Sequence, residues 1–282
     1  MNAEMEGLLK ASRFNLGRML FGDGSGTLST VREVTMDGYV VSDIANFIEG
    51  MVVDFRKAYG TIVTNGAARK VISVDRATST IVVDGTPISN TDLPTGSIIT
   101  MQNSFQKELT GLKAIFDTDT DLIYGNSKIS NSFLQPYVLK EAGEISESKI
   151  QIALDEIEEK SGNSANFIIC SWGVRRALQK VLSASRHMPE TMELAGGYKA
   201  MSYNGIPIVV DRFCPKGTMY LLNTNDFELH QLCDWQWLAD DDGKILRQVP
   251  GKPVYTATLV KYADMVCSRP CGQGVISGIT EE

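Results

Sequence analysis

The sequence predicts an α+β chain in which a small β unit, a barrel or sandwich, is inserted between an opening helix and a mixed remainder of helices and strands. Three observations carry that prediction. Residues 1–21 place apolar side chains at helical spacing; residues 27–105 break into short β-rich pieces separated by Gly, Asn and Asp; and from Lys199 onward the chain is dominated by sheet-forming runs.

The 282 residues suffice for one large or two smaller domains with a real core. A hydrophobic fraction of 43% and a charged fraction of 22% are ordinary for a soluble globular chain. A net charge of −7 and a pI near 5.0 disfavour a nucleic-acid groove or an anionic membrane as the main partner. No apolar run reaches the roughly 20 residues that span a bilayer, and the opening MNAEMEGLLK reads as a mixed-charge helix, not a secretory signal. Five cysteines without a regular framework point to reduced thiols and a cytoplasmic setting.

In chain order, Met5, Leu8, Leu9, Leu16, Met19 and Leu20 form the stripe of the first helix, with Lys10, Arg13 and Arg18 on other faces and Gly22 as its left-handed stop. The following GDGSGT loop has the glycine content of a phosphate cradle but the wrong polarity. It leaves a helix where such a loop must open one, so it reads as a helix exit. The β unit then offers TVREV, GYVV, GMVVDFR, GTIVTN, RKVISVD, STIVVDG and GSIITMQ, with a hairpin around Arg76-Ala77-Thr78. Asp117, Asp119 and Asp121 alternate as in a calcium loop, but Leu122 and Lys128 stand where the glycine and glutamate should be, so a solvated turn is expected. Ser146 caps a helix over Ser146–Lys160 whose buried stripe is Ile150, Ala153, Leu154 and Ile157. FIIC (167–170) is a buried strand, and Ser171 caps the next helix; Ile169 replaces the glycine that a nucleophile elbow requires. KAMSY and IPIVV pair across Asn204-Gly205, a hairpin turn dipeptide, and Pro207 suggests a strand end or sheet edge. Trp235 and Trp237 share a strand face and are expected in the core, and Val254 to Ile279 is the longest strand-like run.

No constellation supports catalysis, a cofactor or a metal. Cys267 and Cys271 (CSRPC) and the pair His230, Cys233 lack paired zinc spacing, so the thiols are expected to behave as small apolar residues. His187, in SRHMPE, reads as solvated.

The order of motifs in the second half resembles the major capsid protein family of tailed bacteriophages, whose shell fold also occurs in encapsulins and the herpesvirus capsid floor. A helix ending near Ser185 leads into a glycine-containing loop, ELAGG (Glu193 to Gly197). Then come Gly205-Ile206-Pro207-Ile208-Val209, Pro215-Lys216-Gly217 before Met219-Tyr220-Leu221, and a long strand closing at Arg269-Pro270 before a short apolar tail. The opening helix and GDGSGTL resemble the family's spine helix and its exit. In that family an extended arm and a long hairpin loop precede the spine helix, whereas here Met1 already reads as helical; the resemblance implies that such ties lie outside this sequence or are supplied differently.

The resemblance implies a spine helix of a peripheral domain at 1–27, the inserted β domain at 28–107, more peripheral domain at 108–145, an axial domain at 146–250, and a peripheral strand returning to the axial domain at 251–282. It implies a non-enzymatic shell protein enclosing double-stranded DNA, located in a virion capsid and assembled in the bacterial host cytoplasm. Its partners would be copies of itself in hexamers and pentamers, with scaffolding, portal and decoration proteins in addition and only weak contact with packaged DNA. His187, Glu193, Gly196, Gly197 and Arg269 would serve self-assembly, the 187–197 loop lying near the capsomer axis. Two rivals stand beside it. One is an encapsulin-like compartment. The other is a β-rich binding or decoration module, which would need exposed aromatics among Tyr39, Phe47, Phe55, Tyr59 and Phe105.

Overall fold

The computed structural model describes residues 2–184, 190–194, 197–239 and 243–282. Helix α1 spans Asn2–Leu20. Its apolar stripe is only half covered, with Leu8 exposed, and its one fully buried described side chain is Arg18. The expectation that Arg18 points away from the core is thus corrected. Its guanidinium forms a two-pronged ion pair with Glu108, Nη1 to Oε2 at 2.8 Å and Nη2 to Oε1 at 2.6 Å, and charge neutralisation makes that burial tolerable. Gly22 does not take the left-handed conformation; Gly24 (φ +83°) and Gly26 (φ +75°) do.

Strands β1 (Thr27–Thr35), β2 (Gly38–Val41), β3 (Val52–Arg56), β4 (Arg69–Asp75), β5 (Thr80–Val83) and β6 (Ile98–Met101) close into an antiparallel barrel in the order β1-β2-β5-β4-β3-β6. Alternation sends Val31, Val41, Val53, Phe55, Val71, Ile81 and Ile99 inward, while Phe47, Ile88 and Leu93 from the loops complete the core. GTIVTN is not a strand: Lys57 N–H bonds to Thr61 O and Val63 N–H to Phe55 O, so the segment folds back and leaves a single bridge, Arg56 to Ile62. The two linkers of the barrel run side by side. Gln106 N–H bonds to Ser25 O, and Gly111 sits so close to the end of α1 that a Cβ there would lie 2.4 Å from Met19 O and 2.5 Å from Leu20 O.

Beyond the barrel come α2 (Leu112–Phe116), a small hairpin of β7 (Leu122–Ile123) and β8 (Asn126–Ser127), and β9 (Tyr137–Leu139). Next are α3 (Glu147–Ser161), β10 (Phe167–Cys170), α4 (Trp172–Ala184), β11 (Glu190–Leu194), β12 (Tyr198–Tyr203), β13 (Ile206–Val210) and β14 (Met219–Leu222). Both serine caps form as expected: Ser146 Oγ accepts from Lys149 N–H at 3.3 Å and Ser171 Oγ from Val174 N–H at 3.4 Å. Asn204 (φ +49°) and Gly205 (φ +78°) make the turn between β12 and β13.

The last stretch holds β15 (Phe227–Trp237), β16 (Arg247–Gln248), β17 (Tyr255–Thr256), β18 (Leu259–Cys267) and β19 (Gly274–Ile276). The expected continuous strand from Val254 to Ile279 is therefore broken. Pro270 starts a short 3-10 turn over 270–272, and the chain changes sheet there.

A seven-stranded mixed sheet in the order β11-β12-β13-β10-β14-β19-β9 is the second core. Alternation splits it cleanly. Ile168, Cys170, Met219, Leu221 and Ile276 pack under α3 and α4, whereas Ile169, Tyr220, Leu222 and Val275 face α2, Leu134 and Cys267. Pro207 is corrected from edge to interior strand but does stand at a strand start: the β10 ladder begins one residue later, at Ile168–Ile208, so no donor is lost. α1 docks on this unit through Phe14 against Phe213 (4.9 Å, edge to face) and Gly17, whose missing side chain makes room for the Phe213 ring.

Candidate assembly surface

β15 and β18 form an antiparallel ribbon of their own, rooted at its base in the second core through Phe227 and Cys267, with β16 and β17 towards its tip. It runs beside α1: a groove of about 340 Å³ is lined by Leu16 and Met19 of α1 together with Leu109, Trp235 and Lys261. On this inner face Lys261 is buried and donates to Gln231 Oε1 (2.9 Å) and Asp234 Oδ1 (2.7 Å), with its ammonium 5.8 Å from the Trp235 ring centre. Trp235 and Trp237 are half-buried ribbon residues, not core: Trp235 faces α1 only across the groove, and neither ring joins a core cluster. The ribbon also exposes Leu229, Leu232, Leu238 and Tyr262. Sequence reasoning missed these. Leu232 falls at a register shift between Gln231 and Cys233, which hides the alternation from a period-two reading.

Of the residues expected to serve self-assembly, the described ones lie at two places in the fold. Glu193 lies in β11 opposite Lys199, so the expected ELAGG loop begins as a strand; Gly197 turns the chain at φ +77°, and both are exposed at one edge of the seven-stranded sheet. Arg269 lies towards the other edge, where its Nη1 donates to Ser161 O at the end of α3 (3.3 Å). His187 and Gly196 lie outside the described residues.

The polar clusters are occupied internally. Asp117 accepts from Asp119 N–H and Thr120 Oγ1, and Asp121 accepts from Ser127 Oγ and Ile129 N–H. Lys128 brings its ammonium to Ala114 O (2.9 Å) and Asp117 O (2.6 Å), at the end of α2; burial lowers its pKa. Among the described residues no three His, Cys, Asp or Glu side chains gather into a metal site. Cys170 and Cys267 are buried, and burial pushes each thiol up to about 12; Cys214 and Cys271 are raised for the same reason. Inside the barrel, Tyr39, Phe47 and Phe55 are core; Arg56 lies over the Phe105 ring at 4.9 Å, and Tyr59 alone of the five aromatics is widely exposed. No platform of exposed aromatics is present among them.

No family model and no curated protein matches the sequence. Solved structures do resemble it. The Cyanophage A-1(L) capsid asymmetric unit matches at 16% identity and a TM-score of 0.47, over 64% of this chain and 62% of that one. The holo-SrpI encapsulin complex from Synechococcus elongatus PCC 7942 matches at 10% identity and 0.41, over 50% and 52%. A virus-like particle from Pyrococcus furiosus matches at 11% identity and 0.32, over 53% and 58%. The chain thus spans between 52% and 62% of the length of these proteins. Among the proteins it resembles in structure are a phage capsid, an encapsulin and a virus-like particle.

Proposed function

We propose that this chain is a structural subunit, the major capsid protein of a tailed phage or prophage, which assembles with copies of itself into an icosahedral shell around double-stranded DNA. One observation carries the reading: α1 lies between a mixed sheet backed by helices and a long ribbon, so the molecule has a packed end and an end whose apolar side chains await cover. In this reading α1, the 108–145 region apart from β9, and the ribbon's second strand belong to a peripheral domain, the seven-stranded sheet with β9 belongs to an axial domain, and the barrel is an insertion between α1 and the 108–145 region. The segment 187–197, with Glu193 and Gly197, faces the capsomer axis. Scaffolding, portal and decoration proteins are further partners, and DNA touches the acidic inner wall weakly. Closed symmetry multiplies a modest contact many times, so each interface need contribute little.

Size-exclusion chromatography followed by negative-stain microscopy tests this. Closed shells with hexamer and pentamer units support it; a monodisperse monomer at all concentrations contradicts it. Shells that load a cargo peptide on the inner wall instead of DNA would move the assignment to an encapsulin-like compartment. Cysteines placed at Glu193 and Gly197 should crosslink around the axis in shells; failure to do so rejects that placement.

A further inference from the structure

Residues 277–282 touch three parts of the second core in turn. Ser277 N–H bonds to Leu139 O (2.8 Å) and Ala142 N–H to Ser277 O (2.9 Å); Thr280 N–H then bonds to Gly143 O and Ile279 N–H to Gly217 O, each at 2.9 Å. Glu281 adds a side-chain contact. Its Oε1 accepts from Gly217 N–H (2.7 Å) and from the hydroxyl of Ser171, the buried residue that caps α4. Glu282 continues along α4: its backbone O accepts from Arg176 Nε (2.7 Å), and its carboxylate pairs with Lys180. A negative group beside the start of α4 is favoured by the helix dipole, and its hydrogen bonds are charge-assisted.

Two glycines make room for this path. Gly217 takes φ +65°, and a Cβ there would lie 2.7 Å from Ile279 O. Gly173, in the first turn of α4, sits so close that a Cβ would lie 2.6 Å from both Cβ and Oε2 of Glu281. Glycine is a poor helix former, so the Glu281 side chain is a physical reason for its place here.

The turn that Glu281 grips also carries the seat of α1. In the 211–217 loop, Phe213 N–H bonds to Asp211 Oδ1 (2.8 Å) and Cys214 N–H to Asp211 O (3.3 Å), with Cys214 buried. Phe213 meets Phe14 and fills the space over Gly17, while the Arg212 guanidinium lies 4.8 Å from the Phe14 ring centre. One short loop is thus held at Gly217 by Glu281 and at Phe213 by α1.

We infer that residues 277–282 are a strap, fastened by the Glu281 carboxylate, which positions the 211–217 loop and through it the seat of α1 on the seven-stranded sheet. Glu281 is in this sense a positioning residue for α1. The contact lies within one chain and is independent of the shell reading.

A double-mutant cycle at Gly173 and Glu281 tests this, read as unfolding midpoint and as amide hydrogen exchange. Gly173→Ala places a methyl where the Glu281 side chain lies, so it should lower the midpoint in the wild-type chain. In the Glu281→Ala background helix propensity alone acts, and the same substitution should raise it. Glu281→Ala should also speed exchange of the Phe14 to Arg18 amides by about threefold or more while leaving those of Val53 and Phe55 in the barrel unchanged. Glu281→Gln keeps one acceptor oxygen and should fall between Glu281→Ala and wild type. Gly173→Ala that raises the midpoint in both backgrounds overturns the strap. Exchange in Glu281→Ala that is unchanged in α1, or faster in α1 and the barrel alike, overturns the positioning of α1.

Discussion

The barrel and the ribbon solve the same problem in opposite ways. Both are antiparallel β structure, and the ribbon has the longer strands, of eleven and nine residues, but the barrel pairs β6 back to β1 and has no edge, whereas the ribbon stops at two strands. Closure lets the barrel bury Phe55 and Ile99 completely on its own side chains. The ribbon leaves half of Leu229 and most of Leu232 in water. The barrel is complete as a folding unit, and the ribbon is complete only against something else.

Substitutions should expose that difference. Phe55→Ala removes a fully buried ring packed 4.8 Å from Tyr39 and should cost about 3–5 kcal/mol, read as a lowered denaturation midpoint. Leu232→Ala in the ribbon should stay within about 0.5 kcal/mol for the isolated chain. Equal costs would erase the distinction.

The joint between the barrel and α1 comes next. Arg18→Ala strands the Glu108 carboxylate in the interior and should cost about 3–5 kcal/mol, whereas Arg18→Met combined with Glu108→Leu should recover most of it. Gly111→Ala drives a methyl into the carbonyls that end α1 and should cost about 1–3 kcal/mol by the same measurement. If Gly111→Ala is silent, the two linkers are not braced as described.

Thiol labelling gives a finer contrast. Cys170, Cys214, Cys267 and Cys271 are buried, so a thiol reagent at pH 8 should modify Cys233 first, with the other four reacting only on unfolding. Rapid labelling of two or more would show that the cores are looser than drawn.

The smallest effect is one of pH. Burial opposes ionisation of Asp23, but hydrogen bonds from Lys113 and Ser25 together outweigh it and hold the carboxyl below its ordinary 3.8. A depressed folded value means the stabilisation is present above pH 3.8 and fades as pH falls through the folded value. Because Lys113 is well exposed the effect is screened, so Asp23→Asn should flatten the acid limb of the stability curve only slightly.

What the sequence could reveal followed the range of the interactions. α3 was legible because its cap and its stripe lie within fifteen residues, and the β12–β13 hairpin because Asn204-Gly205 states its own turn. Barrel closure depends on β1 meeting β6, some 70 residues on, and no local pattern marks that pairing. Arg18 looked like a surface residue because its partner, Glu108, lies 90 positions away. The candidate surface was hidden for a third reason. Trp235 and Trp237 signal burial in any strand, but on a two-stranded ribbon flanked only by an open groove to α1 they stay half covered, while Leu232 falls at the bulge and is exposed.

Amide hydrogen exchange on the assembled and the dissociated chain tests the comparison most directly. The account predicts that barrel amides such as those of Val53 and Phe55 exchange alike in both states, while Leu229 and Gln231 slow by about tenfold or more on assembly. Unchanged exchange at Leu229 and Gln231, with new protection appearing in the barrel, would contradict it.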